Sequence, residues 1–444
     1  MLSVLLLILC LALIIMIEYI FLKNLISISF IFTFSFLVGA ICLLANVKVW
    51  NVQLNVECIG LILFTVLIAF VSENLIKNYI FNRIHRKVWK RTYETLYIKT
   101  FILVLFFCFA VIELILYWRE VSRIAVIAYA NGYNGSVLFN YRQITAHDNI
   151  LTSSQMMNSY VVQGQKIITV FAYILVYIFL NNRILANDKT KKNFLYLIGL
   201  IPFVIITIFS ASRIAILRII IYILILCFIM TSEKKGWKFH IRFGLFIKLL
   251  IIGISVLLGF VYLGTVVGRN TSLTAFQTIS VYLGAPIFLL NLYLKDPIPN
   301  TNIFGEECFC NLYQSFYKLG LVSNYADFQT EFRSSNGILL GNIYTFIRRP
   351  FHDFGIIGLA IVVFIVVSIF SFVFYNYIYK RQVNMKIVIF FAYYYYIIGL
   401  SVIDFCVYSE ISLGNVINII LFLLILNIVK IKTSSDMRIR SIKS

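Results

Sequence analysis

The stretch GNIYTFIRRPFHDFG, residues 341–355, runs directly into the apolar segment IIGLAIVVFIVVSIFSFVF at 356–374. An apolar run of that length crosses roughly 30 Å of hydrocarbon as a helix. Arg348, Arg349, His352 and Asp353 therefore stand at the mouth of a membrane segment. Pro350 suits the first turn of a helix, where its missing N–H is not needed. A helix opening there and running on into the span would present unbonded backbone N–H groups and positive dipole character at the membrane surface. Guanidinium donates a planar pair of hydrogen bonds that matches phosphate, so the reading is an anion site. Anchoring of the two arginines to lipid headgroups is the competing reading.

Outward from that stretch, the chain keeps the same character. Of its 444 residues 61% are hydrophobic and only 13% charged, too few charges to coat a soluble protein of this length. Apolar runs predict eleven spans, near 2–22, 25–45, 58–76, 99–118, 161–180, 194–210, 213–230, 245–265, 354–376, 387–403 and 413–429. The expected fold is an all-α polytopic membrane protein, with residues 1–444 forming a single integral membrane domain. A transmembrane barrel is excluded because the apolarity is continuous rather than alternating. The first run has no basic leader and no small-residue cleavage pattern, so it is expected to be a retained span.

The net charge of +20 does not indicate nucleic acid. Membrane proteins collect Lys and Arg on cytoplasmic loops, and no basic module with interleaved aromatics occurs here. With Lys23, the segments 77–99, 181–193, 231–248, 379–386 and the tail from Lys430 hold 25 of the 38 basic residues. They alternate correctly with the remaining loops and are expected to be cytoplasmic. The C-terminus is then inside and, with an odd number of spans, the N-terminus outside. Two long outward loops result, 119–160 and 266–353. Loops of such length are usually functional. Within the larger one, VYLGAPIFLLNLYL (281–294) is apolar but short for a span, and is expected to be re-entrant or interfacial.

Arginines recur on the outward side. SASR (210–213) joins two spans by a tight turn and brings Arg213 to the membrane boundary. Arg218 falls within the following span, where an ionisable group normally faces a partner or a cavity; pairing with Glu113 or snorkelling is the alternative. Arg142, Arg269 and Arg333 complete the set. With no matching acidic cluster evident in the sequence, these arginines suggest a diphosphate or similar headgroup. Outward acids that could take a proton are Asp148, the pair Glu306 and Glu307, Asp327, Glu331, Asp353, Asp404 and Glu410. A helix N-terminus and adjacent arginines would favour the Asp353 carboxylate, which suits an arginine clamp better than a proton acceptor. His352 titrates nearer neutrality, with packing as the alternative.

Asn342 and Tyr344 lie among many loop aromatics that could face sugars or the membrane interface. The tyrosines at 393–396 are expected to pack. Cys308 and Cys310 are poorly spaced to bond each other, which leaves Cys406 as the other candidate partner. No metal-site, Walker or G-x-S-x-G motif occurs, so neither metal nor cofactor is expected.

The local pattern resembles the oligosaccharide repeat-unit polymerase family, the Wzy-type O-antigen and capsule polymerases. The likeness rests on Asn342 to Thr345, Arg349-Pro350, and Asp353-Phe354-Gly355 to Gly358, with SASR as a further feature. It is strongest over 330–358, and the topology with its large outer loop agrees along the chain. The doubled Arg348-Arg349 and His352 depart from the family pattern, so Arg213, Arg349 and Asp353 carry over first. The resemblance implies a GT-C-like membrane glycosyltransferase in the bacterial cytoplasmic membrane. It would move a growing glycan from its undecaprenyl diphosphate carrier onto a lipid-linked repeat unit, alongside a flippase and a chain-length regulator. Arg213, Arg349, Asp353 and His352 would be catalytic. Arg348, Arg269, Arg333, Arg142, Arg218, Tyr344 and Asn342 would bind substrate. The alternatives are a lipid-linked glycan flippase or transporter, and an O-antigen ligase-like transferase.

Overall fold

The computed structural model describes residues 1–22, 24, 26–83, 93–146, 155–188, 190–237, 259, 262, 274–299, 303–322, 330–379 and 384–431. The described chain is almost wholly helical. Two short antiparallel strand pairs are the exceptions, Leu96–Tyr97 with Lys430–Ile431 and Arg333–Ser335 with Ile338–Gly341. Among the described residues, 8 helices are long and apolar enough to cross a membrane, or 9 if the pair Phe276–Leu283 and Ala285–Lys295, bent by 46°, is one broken span. The chain is an all-α polytopic membrane protein.

The helices depart from the expected spans in ways that matter. Thr100–Ala130 and Val56–Arg83 run well past their expected ends. Part of the segment 119–160 is therefore helix, including Val137–Ala146. The expected spans 387–403 and 413–429 are the shorter apolar helices Met385–Gly399 and Leu413–Leu426. The first stops at Gly399 because the following backbone is used elsewhere: the Ser401 carbonyl accepts the Phe346 N–H at 2.7 Å. The expected span 245–265 lies outside the described residues, apart from Gly259 and Tyr262.

The chain divides into two compact units. One comprises Met1–Lys87, Ser272–Tyr379 and Tyr394–Asn415. Here Leu2–Leu22, Ile28–Ala45 and Val56–Arg83 pack on one another, and Arg348–Val373 lies along Val56–Arg83. Phe32, Phe36, Ile62, Val66, Leu359 and Val363 are wholly buried between them. Leu9, Leu13, Ile361, Ile365 and Ile369 remain exposed on the same helices, the apolar surface that a bilayer covers. The apolar stretch 281–294 is not a single helix. It breaks at Gly284, where a Cβ would stand 2.7 Å from the Leu43 backbone nitrogen. Ala285 to Asn291 are then buried within the unit, and the Asn291 side chain accepts the Asn55 N–H (2.7 Å) and donates to the Gln53 carbonyl (2.9 Å).

The other unit comprises Val88–Thr271, Lys380–Tyr393 and Val416–Ser444. Its centre is aromatic. Phe106 stacks on Phe171 at 4.2 Å, and Tyr173 meets Tyr222 at 4.7 Å and Tyr393 at 4.9 Å. The Asn182 amide takes both the N–H and the carbonyl of Leu96, each at 2.8 Å, fastening the strand to the helical end. Tyr393 is buried in this unit, and Tyr395 and Tyr396 are buried in the first, as expected of packing residues.

Candidate functional site

The segments 303–322 and 330–355 and their neighbours build a dense polar cluster in the first unit. Asn336 and Gly337, both at positive φ (51° and 74°), turn Arg333–Ser335 back onto Ile338–Gly341. An Asn-Gly pair is the strongest short-range hairpin signal, and SSNGI carried it. The hairpin is fastened from behind by Ser335 Oγ to the Trp50 carbonyl (2.8 Å) and Asn336 Nδ2 to the Val49 carbonyl (2.9 Å). The next turn of chain enters the helix Arg348–Val373.

That helix is not the continuous one the sequence suggests. Gly355 sits at φ 67°, ψ −165° and breaks it, a conformation essentially restricted to glycine. Arg348, Arg349, Pro350 and His352 lie in the short helical segment 348–354 before the break. The backbone amides leading into it are taken: Phe346 N–H by Ser401 O (2.7 Å), Ile347 N–H by Thr345 Oγ1 (3.3 Å) and Arg348 N–H by Thr345 O (3.2 Å). These three amides are therefore not the free donors that an open helix end would present.

The expectation of arginines without acidic partners is also overturned. Arg348 is wholly buried. Its Nη1 meets Glu307 Oε2 at 2.9 Å and its Nη2 meets Glu331 Oε2 at 3.2 Å. Its guanidinium carbon lies 3.7 Å from the Tyr293 ring centroid, a desolvated cation–π contact. Arg333 pairs with Glu331 (3.1 Å) and Asp296 (3.3 Å). Arg349 is buried over the Tyr408 ring at 4.2 Å, with Asp404 at 3.5 Å and the Glu307 carbonyl at 3.2 Å. The sequence hid this because Asp296, Glu307, Glu331 and Asp404 are scattered over more than a hundred positions. Glu331 stands two residues from Arg333, but only folding brings Asp296, Glu307 and Asp404 to the arginines.

Asp353 does not serve as the expected arginine clamp. Its two carboxylate oxygens accept the backbone N–H groups of Glu307 (3.3 Å) and Cys308 (2.7 Å), which pins the turn carrying Glu307. His352 is buried, with Nδ1 3.0 Å from the Tyr293 hydroxyl and Nε2 3.7 Å from Glu307 Oε1. The Tyr344 hydroxyl donates to the Glu331 carbonyl at 3.2 Å, and the Asn342 carbonyl accepts from the Thr330 hydroxyl. Tyr344 is therefore a buried wall of the cluster. Cys308 and Cys310 are thiols, and neither is half of a disulfide to Cys406. Burial raises both, Cys310 to about 11 and Cys308 further.

Glu307 is the centre of this arrangement and was only one acid among several in the sequence. Burial pushes its carboxyl up to about 7, against the pull of Arg348 and Arg349. Glu331 behaves oppositely. Burial would raise it, but Arg348, its own backbone N–H, Tyr344 and Arg333 outweigh burial and hold it below the usual carboxylate range. Two carboxyls on one guanidinium thus have titrations driven apart, the pattern that separates a proton acceptor from a permanent anion. Among the described residues, no group of three or more His, Cys, Asp and Glu side chains could hold a metal ion.

The remaining sequence candidates lie elsewhere. Arg213 opens the helix Arg213–Lys234 in the second unit, directly after a turn in which Ala211 takes φ 52°. Arg218 is half-buried on the same helix, and Arg142 is half-buried on Val137–Ala146. Arg269, Asp148 and Asp327 lie outside the described residues. No family model, curated protein or solved structure matches the chain.

Proposed function

We propose that the chain is a membrane glycosyltransferase that joins undecaprenyl-diphosphate-linked oligosaccharide repeat units into a surface polysaccharide. The observation that carries the reading is Glu307, a carboxyl poised near neutrality, bonded to Arg348 and 3.7 Å from the His352 ring. Of the residues that resemble the polymerase pattern, Arg349 donates to the Glu307 carbonyl and Asp353 accepts the Glu307 N–H. In the proposed reaction the acceptor hydroxyl oxygen attacks the anomeric carbon of the donor glycan. Its proton passes to Glu307, and the carbon–oxygen bond to the carrier diphosphate breaks with the electron pair leaving on the diphosphate. A base with this pKa accepts a proton at physiological pH without being wholly protonated beforehand. Arg348 and Arg349 are positioning residues in this scheme, because Glu307 and Asp404 occupy their forks. The orientation that accompanies the proposal places residues 303–353 outside the cytoplasm, the N-terminus outside and the C-terminus inside.

Transport of a lipid-linked glycan is the second reading. It is favoured by two carboxyls buried among spans, Glu18 and Glu73, since such groups commonly mark ion pathways. Deletion followed by glycan analysis separates the two. Loss of long chains with single repeat units retained supports the polymerase; loss of all surface glycan supports the transporter. In the complemented deletion strain, Glu307→Gln and Arg213→Lys are expected to leave single repeat units. Normal polymer from a membrane-inserted Glu307→Gln protein would remove Glu307 from the chemistry.

A further inference from the structure

The two ring nitrogens of His352 meet groups of different kind. Nδ1 lies 3.0 Å from the Tyr293 hydroxyl, and Nε2 lies 3.7 Å from Glu307 Oε1. Both rings are buried, with Tyr293 only 3% and His352 only 7% exposed. Tyr293 is held from several sides. It stands on Ala285–Lys295, where Asn291 is bonded to the backbone of Gln53 and Asn55. The next carbonyl, Leu292 O, accepts Arg333 Nη1 at 3.2 Å. The Arg348 guanidinium carbon lies 3.7 Å from the Tyr293 ring centroid. Phenol and imidazole thus meet from two separately fixed elements, with ring planes at 62°.

A neutral imidazole carries one N–H, and the bond made at one nitrogen determines the role of the other. Nε2 faces a carboxyl oxygen. When Glu307 is ionised, a lone pair on Nε2 would be repelled and an N–H attracted. Nδ1 is then the nitrogen with the lone pair, and the Tyr293 hydroxyl is the donor to it. The opposite tautomer would use the same 3.0 Å contact in reverse and set the Nε2 lone pair against the carboxylate. Arg348 reinforces the first arrangement. A cation on the face of a phenol ring attracts its electrons, which makes the O–H a stronger donor. Phenylalanine at 293 would keep that face and lose the donor. In this tautomer His352 offers Glu307 a hydrogen and has no lone pair there to take one.

We propose that Tyr293 is a positioning residue, which by donating to Nδ1 fixes His352 as the Nε2–H tautomer and so orients the ionised Glu307 carboxylate. A separation of 3.7 Å exceeds hydrogen-bond length, so the orienting effect is electrostatic and acts on a carboxylate whose other oxygen is held by Arg348. The importance of this orientation for catalysis rests on the transferase reading; the tautomer itself does not. The test uses the full chain, labelled with nitrogen-15 histidine, in lipid nanodiscs at pH 8.5, above the value of about 7 to which burial pushes Glu307. The chain has 4 histidines, and His352→Gln identifies the signals of this one. The wild type is expected to show a protonated Nε2 and an unprotonated Nδ1, the latter shifted upfield by the hydrogen bond it accepts. Tyr293→Phe is expected to remove that shift. A protonated Nδ1 in the wild type overturns the proposal, and does so even if Tyr293→Phe fails to fold. Identical spectra for wild type and Tyr293→Phe overturn it as well. In the complemented deletion strain Tyr293→Phe is expected to shorten the polymer without abolishing it. Full-length polymer from that variant, with the Nδ1 signal altered, removes the positioning role. Loss of all surface glycan on deletion defeats the transferase reading and leaves the spectra to decide the tautomer.

Discussion

Removing a salt-bridged carboxylate is expected to stabilise this protein above neutral pH. Glu307 is bonded to Arg348 at 2.9 Å, yet burial raises its carboxyl from 4.5 to about 7. Burial therefore outweighs the guanidinium. The direction of the pH effect follows. An acid raised in the folded state contributes stability that is fully present below its unfolded pKa, near 4.5, and lost as pH rises through about 7. A shift of this size corresponds to about 3 kcal/mol lost across that window. Glu307→Gln is neutral throughout and imitates the protonated form. At pH 5 it should match the wild type within about 1 kcal/mol, and at pH 8 it should be more stable by about 2–3 kcal/mol. Melting of both proteins in nanodiscs from pH 5 to 8.5 gives the difference curve, in which distant titrating groups cancel. Glu331→Gln and the double variant report the coupling through Arg348, which the two acids share. Parallel melting curves for wild type and Glu307→Gln, or a variant less stable at pH 8, would refute the argument by showing that the Arg348 pair outweighs burial.

Glu331 should show the opposite sign. Its carboxyl is held low, so its contribution is present above pH 4.5 and lost on acidification below it; Glu331→Gln is expected to cost about 2–4 kcal/mol at pH 7, with the deficit shrinking toward pH 3 in the same melting assay. Gly355→Ala meets no atom within 4 Å of the added Cβ, so its whole cost is conformational, about 1–3 kcal/mol, read as a lower melting temperature. Ala211→Gly relieves a left-handed backbone at φ 52° and should stabilise by roughly 1 kcal/mol. Asp353→Ala frees the amides of Glu307 and Cys308, and maleimide should then label Cys308, which is only 2% exposed in the intact protein, faster than in the wild type.

Much of the architecture was legible as composition and run length. Leu2–Leu22, Ser159–Leu180 and Arg213–Lys234 fall close to the expected spans because crossing a bilayer needs only a long apolar helix, a property of consecutive residues. The bend at Gly284 was partly legible, since the apolar stretch 281–294 is too short for a span. The Asn336-Gly337 pair is a local hairpin signal that the reading of residues 266–353 as one long loop passed over, and only the fold shows what the hairpin covers. The break at Gly355 was not legible, because its apolar flank continues unbroken while its backbone does not.

Which charges meet which was decided by the tertiary structure alone. Apart from Glu331 beside Arg333, the acids that pair with the arginines at 333, 348 and 349 are remote along the chain, and an open anion site follows from that reading. In the fold Glu307, Glu331, Asp296 and Asp404 close onto them, and Asp353 turns to the backbone of residues 307 and 308. Apolarity adds up residue by residue and survives reading in one dimension. A buried ionic cluster depends on distances of a few ångströms between remote segments, and on the desolvation those segments impose on one another.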